Sequence, residues 1–580
     1  MTQQQTRSVL PLTLYAHHFS NQLHYFADTF AGIIETGENA RHVGLLTSQQ
    51  RLINWVTIQL PPPPQQVLLF GIGSGVLAMQ LVGLGYQVSV YIENIDATTE
   101  ALNSFAKKLT LLTELPPTAC YDVAMIIESQ HSIAPLAFFN QLYKLLNQQA
   151  SVYQLSSVSL KRYHDDEFER LPLLDTYKKQ IARCGFQVNE PVMLTDYITE
   201  SLDDFVKNMS RQKLYLCERL HLSARNFTRL VIELEQQRQR YHDGRYGYAF
   251  LHFEKTKLPR WHTSEVTEQD QAAVSGLFAQ VFKHPLSKKV WQWKYAGEHG
   301  MGTAAWRDGQ LVAHYGGMVR RILYFGQPEK AAQICDVMVE EKERGVLTRK
   351  GAFFLSGASF PECYLGHGND VLLGFGFPTY HHQRIAELLN LYTEVGRMVE
   401  ITWQPLTGKP KLFSRIRHIN PDNKHDQSIV NQLWRHMKAE LTDHIVGIRD
   451  WKQVKYRYFD HPENNYDVLL ITRRFTRQPL GVIVLRREEN FYKLLDIIAP
   501  TKHIPIILEQ TRRIVAQWGG EKVVLWITNN YANLLHELGE AEVKELDVCI
   551  PHCTWYKGQG PDVEEVKDKW LLLGGDTDFM

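Results

Sequence analysis

Three glycines at alternate positions, Gly71, Gly73 and Gly75, follow the apolar run Val67–Phe70 and precede the helical pattern Val76–Leu84. Glycine lets the backbone come close to a ligand, and the first turn of the helix beyond offers unpaired N–H groups. Gly85 stops that helix, and a second apolar run, Val88–Ile92, ends on Glu93. An acid in that place can hold two ribose hydroxyls. A second set of candidate groups lies in the other half of the chain. Asp336 sits inside the run Gln333–Val339, and Arg344-Gly345 and Arg349-Lys350-Gly351-Ala352 come soon after. Basic residues and glycines at a helix start suit a phosphate.

The elements around the first set alternate between strand and helix, which predicts an α/β unit with a parallel sheet. Leu14–Glu35 and Gln49–Leu60 read as helices, and Pro61–Pro64 forms a stiff spacer before the first strand. Tyr15, His17 and His18 either approach a substrate or belong to an aromatic core face. Thr98–Lys108 reads as a helix, and Leu109–Leu112 and Tyr121–Ile127 as strands, the last ending at Glu128. His131, just beyond, is either an acid-base or positioning group or a loop histidine. Pro135–Leu146 is a helix, Ser151–Ser157 a strand, Leu173–Cys184 a helix closed by Gly185, and Phe186–Met193 a strand. A mostly helical insertion, Ile198–Gln239, leads through Gly244–Tyr248 into the apolar strand Ala249–Glu254.

The G-x-G-x-G spacing resembles motif I of the class I S-adenosylmethionine-dependent methyltransferases, with Glu93 at the ribose-binding acid. The resemblance covers about residues 10 to 255. It implies a Rossmann-like domain that holds S-adenosylmethionine through Gly71, Gly73, Gly75, Glu93 and Glu128, with His131 facing the methyl acceptor and the N-terminal helices as a lid. Two positions depart from the family pattern. Leu69 stands where the family has an acid, and Asn147-Gln148-Gln149 where it has a glycine turn.

The second half reads differently. Glu265–Phe282 has a helical pattern, and Asp308-Gly309 joins two alternating strands, Gly302–Arg307 and Gln310–Met318, as a hairpin. The strand Gln333–Val339, the basic loop, the segment Val346–Ser356, Gly374–Pro378 and the helix His381–Leu391 follow. This order resembles the GNAT acyltransferases. The resemblance implies an acyl-CoA cofactor, acetyl-CoA or another, held by Val337, Val339, Arg344, Gly345, Arg349 and Gly351. It also implies Asp336 as general base and a tyrosine as general acid. Ala386 occupies the usual tyrosine position, leaving Tyr380 and Tyr392 as candidates.

The plan then repeats. Trp451–Tyr458 echoes Val290–Tyr295, Gln478–Arg487 echoes Gln310–Arg321, and Leu494–Pro500 echoes Ile334–Glu340. Tyr295 and Tyr458 are 163 residues apart and Asp336 and Asp496 are 160 apart, a near-constant offset that indicates two copies of one domain. The second copy has Thr501–Leu508 where a glycine loop would stand, so it is expected to complete the first copy's cleft and not to bind coenzyme A. The run Trp570–Phe579 resembles the ending of tandem-GNAT proteins. Its Asp576 and Asp578 either reach a site or form a solvated tail.

Composition narrows the function classes. Sixty-three basic residues balance sixty-three acidic ones in a chain of 580, with no basic stripe, which argues against nucleic acid as a partner. No apolar run reaches transmembrane length. Seven scattered cysteines fit a reducing compartment, and a cytoplasmic location is expected. Cys549 and Cys553 lack a second pair, so no metal site is expected. The expected layout is a methyltransferase-like domain over 1–257, a GNAT-like domain over 258–406 and a degenerate GNAT-like copy over 407–580. The expected activity is sequential methyl and acyl transfer on a small molecule. Two alternatives stand beside it: a binding or scaffold protein built from degenerate domains, and an acyltransferase that uses a carrier-protein thioester and needs that carrier as partner.

Overall fold

The structure is a computed structural model that describes residues 13–15, 24–26, 45–70, 76–91, 109–118, 120–127, 135–161, 171–211, 213–219, 223–346, 348–407, 414–532, 535, 541–553 and 560–579. It divides into two compact units, Met1–His262 and Thr263–Met580. Among the described residues no helix is long and apolar enough to cross a membrane.

The first unit opens with β1 (Thr13–Tyr15) and β2 (His24–Phe26), paired antiparallel. The helix expected over Leu14–Glu35 is therefore not formed at these residues. Their aromatic side chains suit a pleated surface as well as a helix face, and a short run does not separate the two periods. Then come α1 (Leu45–Ile58), β3 (Gln66–Phe70), α2 (Val76–Gly83), β4 (Gln87–Tyr91), β5 (Thr110–Leu112) and β6 (Tyr121–Ile127). They are followed by α3 (Pro135–Leu145), β7 (Leu146–Ser159), α4 (Leu174–Arg183), β8 (Phe186–Val188) and β9 (Val192–Met193). The helices α5 (Thr195–Arg211), α6 (Lys213–Arg219) and α7 (Ala224–His242) precede β10 (Tyr246–Lys255).

These strands form one sheet in the order β5-β4-β3-β6-β7-β10-β8, with β9 beside β10. The strands β3 to β7 are parallel, and β10 is antiparallel to β7 along its length. The strand order reverses between β3 and β6, and in such sheets ligands bind beyond the strand ends at that point. Val67, Leu69, Val123, Met125 and Leu155 are buried in the centre, and Leu52, Val56, Ala78 and Leu81 cover them from α1 and α2. The strand expected over Phe186–Met193 breaks into β8 and β9. Pro191 between them has no N–H to give a ladder, and the Asn189 side chain turns to His252 Nδ1 at 2.9 Å.

The second unit holds two runs of similar element order, the second with an extra strand between its first two helices. Its first run is β11 (His262–Glu265), α8 (Gln271–Phe282), α9 (Lys288–Tyr295), β12 (Gly300–Arg307), β13 (Gln310–Tyr324), β14 (Gln327–Val339), α10 (Ala352–Tyr364), β15 (Leu373–Gly376), α11 (Tyr380–Leu388) and β16 (Thr393–Trp403). Its second is β17 (Ser414–His418), α12 (Lys424–Lys438), β18 (Ile445–Gly447), α13 (Trp451–Val454), β19 (Asp467–Arg473), β20 (Pro479–Arg487), β21 (Tyr492–Ile498), α14 (Ile504–Gln517), β22 (Val523–Thr528) and β23 (Glu542–His552). A short helix, α15 (Val563–Val566), and β24 (Trp570–Leu571) follow.

The first sheet runs β11-β12-β13-β14-β15 and the second β17-β19-β20-β21-β22-β16-β23. In the first, β18 also pairs with β13 antiparallel and with β24 parallel, and along each of these orders one parallel pair stands among antiparallel strands: β14 with β15, and β21 with β22. The β12–β13 hairpin closes on Asp308 and Gly309 at φ +51° and +78°, and Arg307 pairs with Gln310 across it. That is the two-residue turn the Asp-Gly pair predicts. The helix expected from Glu265 starts at Gln271 instead. Glu265 ends β11, and Thr267 and Asp270 form a capping box before the helix. Ser287 and Asp450 cap α9 and α13 at the same spacing that separates Tyr295 from Tyr458.

Candidate functional site

The two halves of β14 do different things. From Ala331 to Ile334 it pairs with β15 on one edge and β13 on the other. Beyond Ile334 and Gly376 the parallel pair parts, and among the described residues no strand takes the freed edge of 335–339. A β-bulge marks the place, because the register with β13 slips between His314 and Gly316. Asp336 lies in the bulge at φ +49°, a conformation that Asp and Asn tolerate better than other side chains.

The Asp336 carboxylate is fully engaged. Lys294 Nζ donates to both oxygens at 2.9 and 3.1 Å, and Tyr295 Oη donates to Oδ2 at 2.7 Å. Lys294 also donates to Asp578 Oδ2 at 3.1 Å. Burial opposes the charge on both partners of the pair. Lys294 and the Tyr295 hydroxyl nevertheless hold Asp336 below the usual carboxylate range, and Asp578 and Asp336 hold Lys294 above the usual lysine value. His314 Nδ1 bonds the Asp336 backbone carbonyl at 2.8 Å, and burial lowers its pKa and keeps it neutral. Cys335, Asp336 and Asp578 bring their ligand atoms within 4.8 Å of one another. The Lys294 ammonium supplies the positive charge between the two carboxylates.

Past the bulge the chain turns at Gly345, φ +87°, and enters α10 through Gly351. A Cβ on Gly351 would collide with the Val346 carbonyl, so the turn requires glycine there. No side chain caps α10, which leaves its first N–H groups without an internal acceptor. Arg344, Arg349 and Lys350 are exposed around them, and Arg344 Nε reaches back to the Val339 carbonyl at 3.0 Å. An uncapped thirteen-residue helix preceded in sequence by three exposed cations could take an anion such as a pyrophosphate.

The two candidate tyrosines differ. Tyr380 starts α11, is half exposed, and donates its backbone N–H to Asp547 Oδ1 at 2.9 Å. Tyr392 is buried, and its hydroxyl is bonded to that of Tyr315. Burial raises its pKa well above the ordinary phenol value. Val337 and Val339 lie on the freed edge of β14. Gly71, Gly73, Gly75, Glu93, Glu128 and His131 lie outside the described residues. The described residues beside them, Leu69 and Phe70, are buried at the switch point of the first sheet.

Lys294, Tyr295, His314 and Gln333 join Asp336 in the folded chain, and none was a candidate from the sequence. The repeat carried the signal. Lys294-Tyr295 stands opposite Arg457-Tyr458 at one offset, and Tyr458 Oη donates to Asp496 at 2.9 Å as Tyr295 does to Asp336. Asp576 and Asp578 are not a solvated tail. Arg449 Nη2 donates to Asp576 Oδ2 at 2.7 Å, and Asp578 receives Lys294.

Residues 262–353 match the family model for an acetyltransferase (GNAT) domain, from β11 to the start of α10. One domain of that kind is thereby identified. The second run of elements, from β17 to β23, lies outside that match. A probable N-acyltransferase from Enterococcus faecalis V583 is 10% identical, with a TM-score of 0.40 over 50% of this chain and 71% of its own. A GCN5-related N-acetyltransferase from Kribbella flavida is 13% identical, with a TM-score of 0.36 over 50% and 70%. A putative sarcosine dimethylglycine methyltransferase from Galdieria sulphuraria is 14% identical, with a TM-score of 0.33 over 40% and 99%. No curated protein matches the chain. Residues 262–353 of the chain thus belong to a GNAT acetyltransferase domain.

Proposed function

We propose that this chain is a bifunctional transferase that moves an acyl group from coenzyme A, and a methyl group from S-adenosylmethionine, to a small molecule. One observation carries the acyl half: β14, inside the stretch that matches the acetyltransferase family, parts from β15 beside an uncapped, glycine-entered α10 that begins where the stretch ends. Coenzyme A would supply the acyl group as a thioester. The N–H groups of α10 would hold its pyrophosphate with Arg344, Arg349, Gly345 and Gly351, and the freed edge at Val337 and Val339 would line its extended arm. Tyr380, the exposed tyrosine, would give its proton to the departing thiolate as the acceptor nitrogen or oxygen bonds the acyl carbon and the C–S bond breaks, and the proton the acceptor loses would return through solvent to the Tyr380 oxygen.

Asp336 takes a different part in this reading. Its carboxylate is held ionised by Lys294 and Tyr295, which makes it a weak base. It would fix the bulge and the charge of Lys294 beside the acceptor. The methyl half rests on the strand order of the first unit and the Gly71-x-Gly73-x-Gly75 spacing. Gly71, Gly73, Gly75, Glu93 and Glu128 would hold the methyl donor, and His131 would position the acceptor.

The experiment is release of free thiol from acetyl-coenzyme A with a panel of small amines and alcohols. Thiol release that depends on an acceptor is expected. Tyr380→Phe should lower kcat by about a hundredfold or more, the low end of what general acid catalysis supplies, with KM little changed. Tyr392→Phe should leave kcat within about twofold. No thiol release with any acceptor, together with no binding of coenzyme A by calorimetry, would reject the acyl reading.

A further inference from the structure

The opening beside Asp336 exists twice. In the first copy β14 and β15 part after Ile334 and Gly376, with Asp336 two residues past the last pair. In the second, β21 and β22 pair from Tyr492 with Val523 to Leu494 with Leu525 and then part, with Asp496 two residues past the last pair. The second opening is filled by the chain itself. Leu573 bridges Ile527 antiparallel, and the Thr528 N–H donates to the Leu572 carbonyl at 3.1 Å. The Leu572 N–H donates in turn to Thr528 Oγ1 at 3.4 Å. On the β21 side Gly575 lies so close that a Cβ would collide with Tyr458 Oη and stand 2.8 Å from the Leu495 carbonyl. Arg449 holds Asp576, and Arg457 Nε donates to the Gly575 carbonyl at 3.1 Å. Leu572, Leu573 and Thr577 are buried, so solvent is shut out.

The segment then reaches the first opening. Asp578 accepts from Lys294 at 3.1 Å and from Gln333 Nε2 at 3.3 Å. Phe579 stands 6.3 Å from Phe377, the residue after the last paired position of β15, and 6.2 Å from Trp526 of β22.

We infer that residues 571–577 are a strap that permanently occupies the second opening, so that the second unit holds one thioester site, and that Asp578 and Phe579 form part of the mouth of the first. The thioester enters this inference through the reading proposed above. The occupancy itself rests only on the strand edges and the buried contacts. An incoming ligand would have to break the Arg449–Asp576 pair, expose buried leucines and strip the edge of β22 from a segment tethered to it. A tethered segment competes at an effective concentration in the millimolar range.

The test uses the full chain. Amide hydrogen exchange is followed by mass spectrometry with and without coenzyme A, beside a calorimetric titration with the same ligand. Residues 523–528 and 570–577 are expected to be protected in the free protein and unchanged by the ligand. Residues 337–355 should slow by at least about tenfold, as expected when a ligand suppresses local opening, and the stoichiometry should be one. Full-length Leu573→Asp should lose protection at 523–528 while 467–485 keeps it. A stoichiometry of two, or a ligand-dependent change at 523–528 or 570–577, overturns the strap, as does free exchange of those residues without ligand. Should coenzyme A not bind at all, the acyl reading fails. The strap then stands or falls on the protection of 570–577 in the free wild-type chain, which a misfolded variant would not affect.

Discussion

Asp336 and Lys294 set the chemistry of the cleft through charge, and the sign of that charge gives a pH test. Each has 7% side-chain exposure, so removing the Asp336 charge leaves the Lys294 ammonium buried with Asp578 as its remaining carboxylate partner, at the low end of the about 3–5 kcal/mol that breaking a buried pair costs. Asp336→Asn keeps the shape and the tolerance for positive φ and removes only the charge. Because the folded pKa of Asp336 is depressed, its contribution is present above the unfolded carboxylate value of about 3.9 and is lost as pH falls through the folded value. The variant should therefore be less stable than the wild type by about 3 kcal/mol at pH 7, and the gap should begin to close as pH falls below about 4 and vanish only below the folded value of Asp336. Denaturant unfolding of the second unit across that range checks it, and a gap that stays constant with pH would show that the ion pair is not the cause. Asp336 was a candidate because the resemblance to the GNAT acyltransferases places a general base on that strand, and the residues alone allowed a strand acid paired with a basic neighbour. The sequence did not mark Lys294, which lies 42 residues away and meets Asp336 only when α9 docks on the sheet.

At the scale of elements, the turn into α10 makes a separate prediction. Gly351 has an ordinary φ of −76°, so its need for glycine comes from contact and not from conformation. Gly351→Ala should push the 346–351 loop aside and weaken coenzyme A binding by about tenfold, or ~1.4 kcal/mol. Because the loop is exposed, global stability should change by about 1 kcal/mol or less. Calorimetric titration and thermal unfolding of one sample separate the two effects. Intact binding in this variant would place the pyrophosphate elsewhere. Elements of this kind were legible where one local rule decided them. Asp308-Gly309 dictated its hairpin, and the apolar runs Val67–Phe70 and Tyr121–Ile127 dictated buried strands. Within the expected helix Leu14–Glu35, the described residues at β1 and β2 were misread because aromatic spacing fits either period. Glu265 was assigned to a helix because its side chain does not reveal the cap at Thr267 and Asp270 that stops the helix short of it.

Across the whole second unit, the partner of each strand was the least legible feature, because alternation fixes which face is buried but not which edge is paired. β16 belongs by sequence to the first copy, yet it pairs with β22 of the second from Met398 with Thr528 to Trp403 with Val523. β23 then pairs with β16, and its continuation returns to the first copy, where the Cys553 N–H donates to the Gly374 carbonyl at 3.0 Å. The two sheets are thus stitched by β16 and β23 into one compact unit, which a division near residue 406 would cut through. Ile401 on β16 is fully buried among Val399, Trp403 and the second copy's core. Ile401→Ala should cost about 2–5 kcal/mol. If the stitching makes folding cooperative, that loss should appear in both copies. Hydrogen exchange of β14 in the first sheet and of β20 in the second should then accelerate by similar factors, of order 30-fold or more at the low end of that cost. Acceleration confined to the second sheet would mean that each copy unfolds alone and that β16 is only a bystander of the first.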